Sequence, residues 1–128
     1  MRVEQSPVLV VEDDAPVREA IVRLLRGDGI EVLEAADCAA ALGLARGRCP
    51  SLLLLDCGAP GMDEEALLSQ LRAELGAQAP PAILLTASDW QQRRVESLGA
   101  VEGLPKPFAI ESLMAAIHRH RRGSLPDA

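Results

Sequence analysis

The sequence predicts an α/β protein: a single doubly wound (βα)5 domain, with a five-stranded parallel sheet and helices on both faces. Three observations lead to this prediction. A short apolar run followed by an amphipathic stretch occurs five times along the 128 residues. The first, third and fourth apolar runs are almost uninterrupted, which is typical of central parallel strands covered on both sides. The second and fifth runs are mixed or short, which favours the two edges of the sheet.

The five strands are predicted where apolar residues run together. The first, third and fourth strands are expected at 8–11, 51–55 and 82–86, and the weaker second and fifth at 30–35 and 101–104. Consecutive parallel strands need a crossover connection, which is usually a helix. The residues between the strands are therefore expected to form helices that cover the sheet.

The helices begin and end at recognisable signals. Pro16 is expected at the start of the first helix and Gly27 at its end, while Asp37 is typical of the cap before the second. The five helices are predicted at about 16–27, 37–46, 63–75, 89–98 and 110–121. One face of the first helix is expected to carry its apolar residues: Val17, Ala20, Ile21, Leu24 and Leu25.

The composition is that of an ordinary globular domain. Hydrophobic residues make up 48% and charged residues 25%, and no apolar run approaches the roughly 20 residues that a membrane helix needs. The first residues also lack the layout of a signal peptide, so a cytoplasmic protein is expected. We expect one domain over 1–128, with its core at about 7–122 and tails at 1–6 and 123–128.

Charge and residue usage exclude several functions. The net charge of −6 argues against direct binding of nucleic acid, and the aromatic content of 2% argues against base-stacking platforms. The three cysteines, Cys38, Cys49 and Cys57, form no CxxC pair. They are therefore expected to be free thiols of a reducing compartment, without a role in zinc binding.

Polar side chains follow four of the predicted strands. In an open parallel sheet, ligands bind beyond the carboxyl ends of the strands, so these residues are the first place to look for chemistry. A carboxylate cluster, a hydroxyl and an ammonium are expected to converge there. They belong to Glu12, Asp13, Asp56, Thr86 and Lys106, with Asp14 more plausible as a helix cap.

Lys106 is the only lysine among the 13 basic residues of the chain. Every other basic residue is an arginine, so the sequence uses arginine wherever a general surface cation suffices. Lys106 also lies between Pro105 and Pro107, which restrict the backbone around it. A compact ammonium suits a single phosphoryl or carboxylate oxygen better than the planar guanidinium does.

Five motifs, taken together, resemble those of a known family. They are VLVVEDD at 8–14, LLLLD at 52–56, PGMD at 60–63, LLTAS at 84–88 and LPKPF at 104–108. In this order and spacing, they resemble the CheY-like receiver domain of two-component response regulators, from Pro7 to the last helix. The resemblance implies the strand order 2-1-3-4-5.

The resemblance also implies a chemical role for the acidic cluster. Asp56 would be the phospho-acceptor, and Mg²⁺ would be held by Glu12, Asp13, Asp56 and the backbone carbonyl of Gly58. Magnesium prefers oxygen ligands and keeps several waters, so this donor set suits it. The ion and Lys106 would together balance the charge of the three carboxylates.

The phosphoryl group itself would be bound on the other side of the site. The resemblance implies that Thr86 and Lys106 each bind a phosphoryl oxygen, with the small Ala87 beside them leaving room for a partner's imidazole. The family's switch pairs the threonine with an aromatic residue on the fifth strand, but that position here is Gly103. The fourth helix also looks shortened, and Trp90 near its start is a candidate for a substitute switch.

The expected partners also follow from the resemblance. A sensor histidine kinase or a histidine phosphotransfer protein would supply the phosphoryl group, and a downstream protein or a fused effector would receive the signal. No direct contact with nucleic acid or membrane is expected. The surface formed by the fourth helix, fifth strand and fifth helix is a candidate homodimer face. Enzymatic activity is not expected beyond Mg²⁺-dependent phosphorylation and dephosphorylation of the protein itself.

Three alternative functions fit parts of the pattern. An aspartate-nucleophile phosphatase needs DxDx[TV] after the first strand, where this chain has Glu12-Asp13-Asp14-Ala15-Pro16. A flavodoxin-like cofactor binder needs a hydroxyl- or glycine-rich loop there, because acidic side chains repel phosphate. The third alternative is a receiver that acts only as a protein-docking module. The absent aromatic residue and the short fourth helix keep that alternative open.

Overall fold

A parallel five-stranded sheet forms the centre of the protein, whose computed structural model describes residues 6–57 and 62–122. The strand order is β2-β1-β3-β4-β5, which confirms the predicted topology and both predicted edges. The strands are β1 (Val8–Val11), β2 (Val32–Ala35), β3 (Leu52–Asp56), β4 (Ala82–Thr86) and β5 (Glu102–Pro105).

In the described part of the chain, four helices connect the strands and a fifth follows β5, with a 3-10 turn at Gly76–Gln78 before β4. All predicted strand and helix bounds agree with the structure to within two residues. The helices are α1 (Ala15–Gly27), α2 (Cys38–Arg48), α3 (Glu64–Leu75), α4 (Asp89–Ser97) and α5 (Ile110–His120).

Short polar side chains cap the first four helices. Asp14 and Asp37 accept hydrogen bonds from backbone N–H groups in the first turns of α1 and α2, as predicted. Asp63 and Ser88 do the same for α3 and α4. Because the first N–H groups of a helix have no partner inside it, these caps determine where each helix begins.

The core has two layers because side chains alternate along each strand. On β1, Val8 and Val10 pack with apolar residues of α1 and α5, whereas Leu9 and Val11 pack with those of α2 and α3. The central strands β1, β3 and β4 are buried along their whole length. This burial explains why their sequences are continuous apolar runs and not alternating patterns.

The apolar face of α1 is narrower than predicted. Ile21, Val22 and Leu25 are buried, but Val17 and Leu24 are 40% and 36% exposed. The buried stripe is centred on Leu25, and with 3.6 residues per turn Val17 and Leu24 fall to one side of it. The sheet therefore covers only part of the apolar face that was predicted for α1.

Helix α4 has little anchorage in the core. It has nine residues, fewer than each of the other four helices, and none of them is buried. Val95 is its partly buried contact with the core. Within the ranges 6–57 and 62–122, no helix combines the length and apolar character required to cross a membrane.

Candidate functional site

Three carboxylates meet at the carboxyl edge of the sheet. Oxygen atoms of Glu12, Asp13 and Asp56 all lie within 4.8 Å of one another. Glu12 and Asp13 directly follow β1, and Asp56 is the last residue of β3. Because β1 and β3 are paired with Val11 opposite Leu55, the next residues of the two strands are brought side by side. The predicted convergence of these residues is thus a direct result of strand register.

Glu12 is the most constrained of the three acids. Its side chain is 2% exposed, and its Oε1 has no hydrogen-bond partner among the described residues. Its Oε2 accepts a hydrogen bond from the backbone N–H of Asp14 at 3.3 Å. The pKa of Glu12 is raised to about 7, mainly by burial and also by the nearby Asp56, while the Asp14 N–H and the charge of Lys106 oppose the shift.

Lys106 joins this cluster from the edge strand. Its ammonium donates a hydrogen bond to Oδ1 of Asp56, which is 5% exposed. Its backbone N–H donates to the carbonyl oxygen of Thr86 at 2.7 Å, so the residue after β5 remains attached to β4. The long aliphatic stem lets the ammonium reach from β5 to the end of β3. The only lysine of the chain therefore lies at the centre of the site.

Thr86 and Ala87 form the side of the site nearest α4. Thr86 is fully buried at the end of β4, and its hydroxyl donates a hydrogen bond to Oε1 of Gln92 at 2.8 Å. The backbone N–H of Ala87 donates to Oε1 of Gln91 at 2.6 Å. The two neighbouring glutamines of α4 thus occupy both donors. The sequence analysis missed them, because nothing in the pattern around 91–92 distinguishes these residues from solvated ones.

Gly103, which replaces the expected aromatic residue, is covered by α4. Its carbonyl oxygen accepts a hydrogen bond from Nε2 of Gln92 at 3.3 Å. A Cβ atom on Gly103 would lie 2.7 Å from Oε1 and 2.8 Å from Nε2 of Gln92, and would also clash with Val95 Cγ2. The space next to β5 that a side chain would need is therefore already filled by two residues of α4.

Trp90 lies on the surface at the start of α4. It is 59% exposed, and the guanidinium carbon of Arg94 lies 4.9 Å from its ring centroid. Arg94 also pairs with the buried Glu64 at 3.4 Å, which connects α4 to the first turn of α3. Because the two partners lie 30 residues apart in the chain, the sequence pattern alone gives no sign of this pair.

Cys57 is adjacent to Asp56 but belongs to the core. It is 6% exposed and packs with the layer under α2 and α3. Burial, reinforced by the negative charges of Glu64 and Asp56, raises the pKa of its thiol to about 12. A thiol that stays protonated is a poor nucleophile and metal ligand, so Cys57 is not a candidate for the chemistry of this site.

The fold and the site define a class of signalling domain, and comparison with known proteins identifies the family. The family model described as "Response regulator receiver domain" matches residues 8–118. The chain belongs to this family and is a receiver domain of the two-component response regulators. Phosphorylation and Mg²⁺ binding are general features of such domains.

Two curated relatives illustrate the similarity. The response regulator MprA of Mycobacterium sp. (strain KMS) is 38% identical over 122 residues, which cover 94% of this chain and 52% of MprA. The phosphate regulon transcriptional regulatory protein PhoB of Escherichia coli is 34% identical over 123 residues, which cover 94% of this chain and 54% of PhoB. The chain thus spans about half the length of the curated relatives it matches.

Solved structures support the CheY-like fold. A putative response regulator from Chloroflexus aurantiacus has a TM-score of 0.82 and 30% identity, and the match covers 91% of this chain and 97% of that one. The chemotaxis protein CheY4 of Vibrio cholerae has a TM-score of 0.81 and 26% identity, covering 91% of this chain and 99% of that one. Both matches span nearly the whole of each solved chain, which places the similarity in the complete sheet and its helices.

Proposed function

We propose that Asp56 accepts a phosphoryl group from a histidine kinase or a histidine phosphotransfer protein. The contact between the Lys106 ammonium and the buried Asp56 carboxylate, beside Glu12 and Asp13, carries this proposal. In the transfer, the bond from phosphorus to the donor's imidazole nitrogen breaks as a bond to an Asp56 carboxylate oxygen forms. A carboxylate attacks an anionic group poorly unless nearby positive charge neutralises that group. Lys106 is placed to supply part of that charge.

Glu12, Asp13 and Asp56 form a donor set that fits Mg²⁺. Their oxygens are close enough to share one ion, and the unpartnered Oε1 of Glu12 is a buried ligand atom that a cation would satisfy. When bound, the ion supplies positive charge that neutralises the carboxylates and the incoming phosphoryl oxygens. The fourth predicted ligand, the carbonyl of Gly58, lies outside the described residues.

Three donors would bind the phosphoryl oxygens. They are the ammonium of Lys106, the hydroxyl of Thr86 and the backbone N–H of Ala87, which lie at or directly after the carboxyl ends of β4 and β5. Donors held in place before the reaction stabilise developing charge without further reorganisation. Movement of Thr86 towards the phosphoryl group would start the switch. Gly103 stands where the family's switch has an aromatic residue, and Trp90 is the candidate to take its place.

The proposal assigns the remaining roles as follows. The working unit is the receiver core at about 7–122, which acts in the cytoplasm and reports its state to a downstream protein or a fused effector. The chain turns over no external substrate, since its chemistry is its own phosphorylation and the hydrolysis of its own acyl phosphate. A homodimer through α4, β5 and α5 stays a prediction.

Phosphorylation by a small donor tests the proposed function directly. With Mg²⁺ and acetyl phosphate, the protein is expected to gain one phosphoryl group, because the donors and the acceptor belong to this chain alone. Excess EDTA is expected to prevent the gain. Intact-mass spectrometry measures both results. An unchanged mass in the presence of Mg²⁺ would favour the docking-only alternative.

Stabilisation by Mg²⁺ tests the metal ligands separately. At a Mg²⁺ concentration ten times the dissociation constant, binding to the folded state adds about 1.4 kcal/mol to the free energy of unfolding, or roughly 5 °C in Tm. Asp13→Asn is expected to lose most of this gain. Asp14→Asn is the matched control: it keeps a capping side chain on α1 and changes no proposed ligand. Equal Mg²⁺ responses in the two variants, measured by thermal unfolding, would contradict the assignment of Asp13.

A further inference from the structure

We propose that Gln91 and Gln92 are positioning residues that occupy the Ala87 N–H and the Thr86 hydroxyl before phosphorylation and release them when a phosphoryl group binds. This inference rests on the proposed function, because it concerns the two donors next to the phosphorylation site that come from the β4–α4 connection. It gives those donors a defined resting state. It also identifies which bonds must break before they can reach a phosphoryl oxygen.

The orientation of both amides follows from what they face. The backbone N–H of Ala87 can only donate, so the Gln91 atom 2.6 Å away must be its oxygen. The carbonyl of Gly103 can only accept, so Gln92 turns its Nε2 towards it and its Oε1 towards Thr86. Gln92 therefore bridges the end of β4 to β5 through two hydrogen bonds.

The two glutamines compete with a phosphoryl group for the same hydrogens. A hydroxyl and a backbone N–H each carry one hydrogen, so Thr86 and Ala87 must leave their glutamines to donate fully to a phosphoryl oxygen. Hydrogen bonds to an anion are about twice as strong as those to a neutral amide. Once a phosphoryl group is bound, donation to its oxygens is therefore favoured over donation to the glutamines. Without it, the glutamine amides hold the Thr86 hydroxyl and the Ala87 N–H.

Gly103 makes this arrangement possible. The Gln92 amide lies where any side chain at position 103 would begin, at 2.7 to 2.8 Å from an ideal Cβ. Because the fifth-strand aromatic is absent, the space next to Thr86 is available to an amide from α4. Gly103 and Gln92 are therefore a matched pair, and the glutamine replaces the ring as the group that contacts the threonine.

Release of the amides would affect α4, because this helix is held mainly by polar contacts. None of its residues is buried, and Val95 provides its partial contact with the core. The side chains that tie its first half to the neighbouring residues are Gln91, Gln92 and Arg94, which pairs with Glu64. Its C-terminal end is held separately, because the buried Leu98 accepts a hydrogen bond from Arg72 at 2.7 Å. Elements with few buried apolar contacts are the ones that move at low cost. Loss of two of these ties is expected to loosen its first turn.

Titration with beryllofluoride in saturating Mg²⁺, followed by calorimetry, tests the proposal. Gln91→Met and Gln92→Met keep the length of the side chain but remove the competing oxygen. Since one neutral hydrogen bond no longer has to break, each variant is expected to bind beryllofluoride about three- to tenfold more tightly. Gln78→Met, at an exposed glutamine in the turn before the amino end of β4, is the control and should bind as the wild type does. Unchanged or weaker binding by Gln91→Met and Gln92→Met would overturn the proposal.

A double-mutant cycle separates positioning from a merely structural role. If Gln92 acts through the Thr86 hydroxyl, the tighter binding of Gln92→Met should vanish when Thr86 is already Ala. Gln92→Leu also removes the competing oxygen, and it provides a second variant if Gln92→Met folds poorly. An effect of Gln92→Met that persists in Thr86→Ala would contradict the mechanism.

Trp90 gives an independent optical readout. It precedes Gln91 directly and rests against Arg94, so its emission should report on the first turn of α4. The variant with both glutamines replaced by Met is expected to show, without ligand, emission close to that of the beryllofluoride-bound wild type. Emission identical to that of the free wild type would overturn the proposal. A wild type that binds no beryllofluoride would instead refute the proposed function.

Discussion

Substitution of Asp56 by Asn is expected to reduce labelling by acetyl phosphate from one phosphoryl group per chain to none. The Asn amide nitrogen of this variant is not a nucleophile at neutral pH, and the amide lacks the negative charge that holds Lys106 against Asp56. Intact-mass spectrometry after incubation with Mg²⁺ and acetyl phosphate measures the result.

Asp63→Asn is the matched control for this experiment. Asp63 is an exposed aspartate that caps α3, and Asn is an equally good capping residue. This variant is expected to be labelled like the wild type. Peptide mapping of the labelled wild type should then place the phosphoryl group on the peptide that contains Asp56. Equal labelling of Asp56→Asn and the wild type would refute the assignment of the acceptor.

Replacing Glu12 with Gln is expected to stabilise the metal-free protein by up to about 3 kcal/mol at pH 8. Burial next to Asp56 raises the pKa of Glu12 to about 7, from the 4.5 of an exposed glutamate. Above pH 7 the Glu12 carboxylate is charged in the folded and in the unfolded protein, and keeping it charged in the folded protein lowers the free energy of unfolding. Below about pH 4.5 it is protonated in both states, and this effect disappears. The benefit of the substitution should therefore grow between these two pH values and level off above pH 7.

Urea unfolding in EDTA, repeated across this pH range, measures the difference in the free energy of unfolding between the two proteins. Glu65→Gln is a suitable control, since Glu65 is exposed in the first turn of α3 and should give little pH dependence. Saturating Mg²⁺ should reverse the order, because the wild type gains a ligand atom that the variant lacks. A Glu12→Gln benefit that is the same at pH 5 and pH 8 would contradict the raised pKa.

The strands and the acidic cluster could be predicted because they depend on local patterns. The apolar runs at 8–11 and 82–86 coincide with β1 and β4, since a strand buried on both faces requires continuous apolar residues. Glu12 and Asp56 could be expected near each other because both follow central strands whose carboxyl ends share an edge. Within this cluster the pKa of Glu12 is raised, and burial contributes more to the shift than the charge of Asp56 does.

The contacts of α4 could not be predicted in the same way. Gln91 and Gln92 lie in a polar stretch whose pattern does not distinguish a solvated amide from a bonded one. Glu64 stands in the first turn of α3, where negative charge is favourable without any partner. The burial of Glu64 and its pairing with Arg94 depend on how α3 and α4 lie against each other. The exposure of Val17 on α1 was missed for the same reason, because the buried width of a helix face depends on its neighbour.

By itself, the sequence determined the α/β class, the central and edge strands, the receiver family and the residues that follow each strand. These depend on periodicity and on motifs whose members lie close together in the chain. The burial and hydrogen-bond partners of those residues depend on the tertiary structure. Glu12 is buried with no partner for Oε1 in the described part of the chain, Thr86 donates to an amide six residues on, and that amide reaches Gly103 eleven residues further. Burial and hydrogen bonding are properties of neighbours in space, and α4 becomes a neighbour of Thr86 and Gly103 only when the crossover is folded.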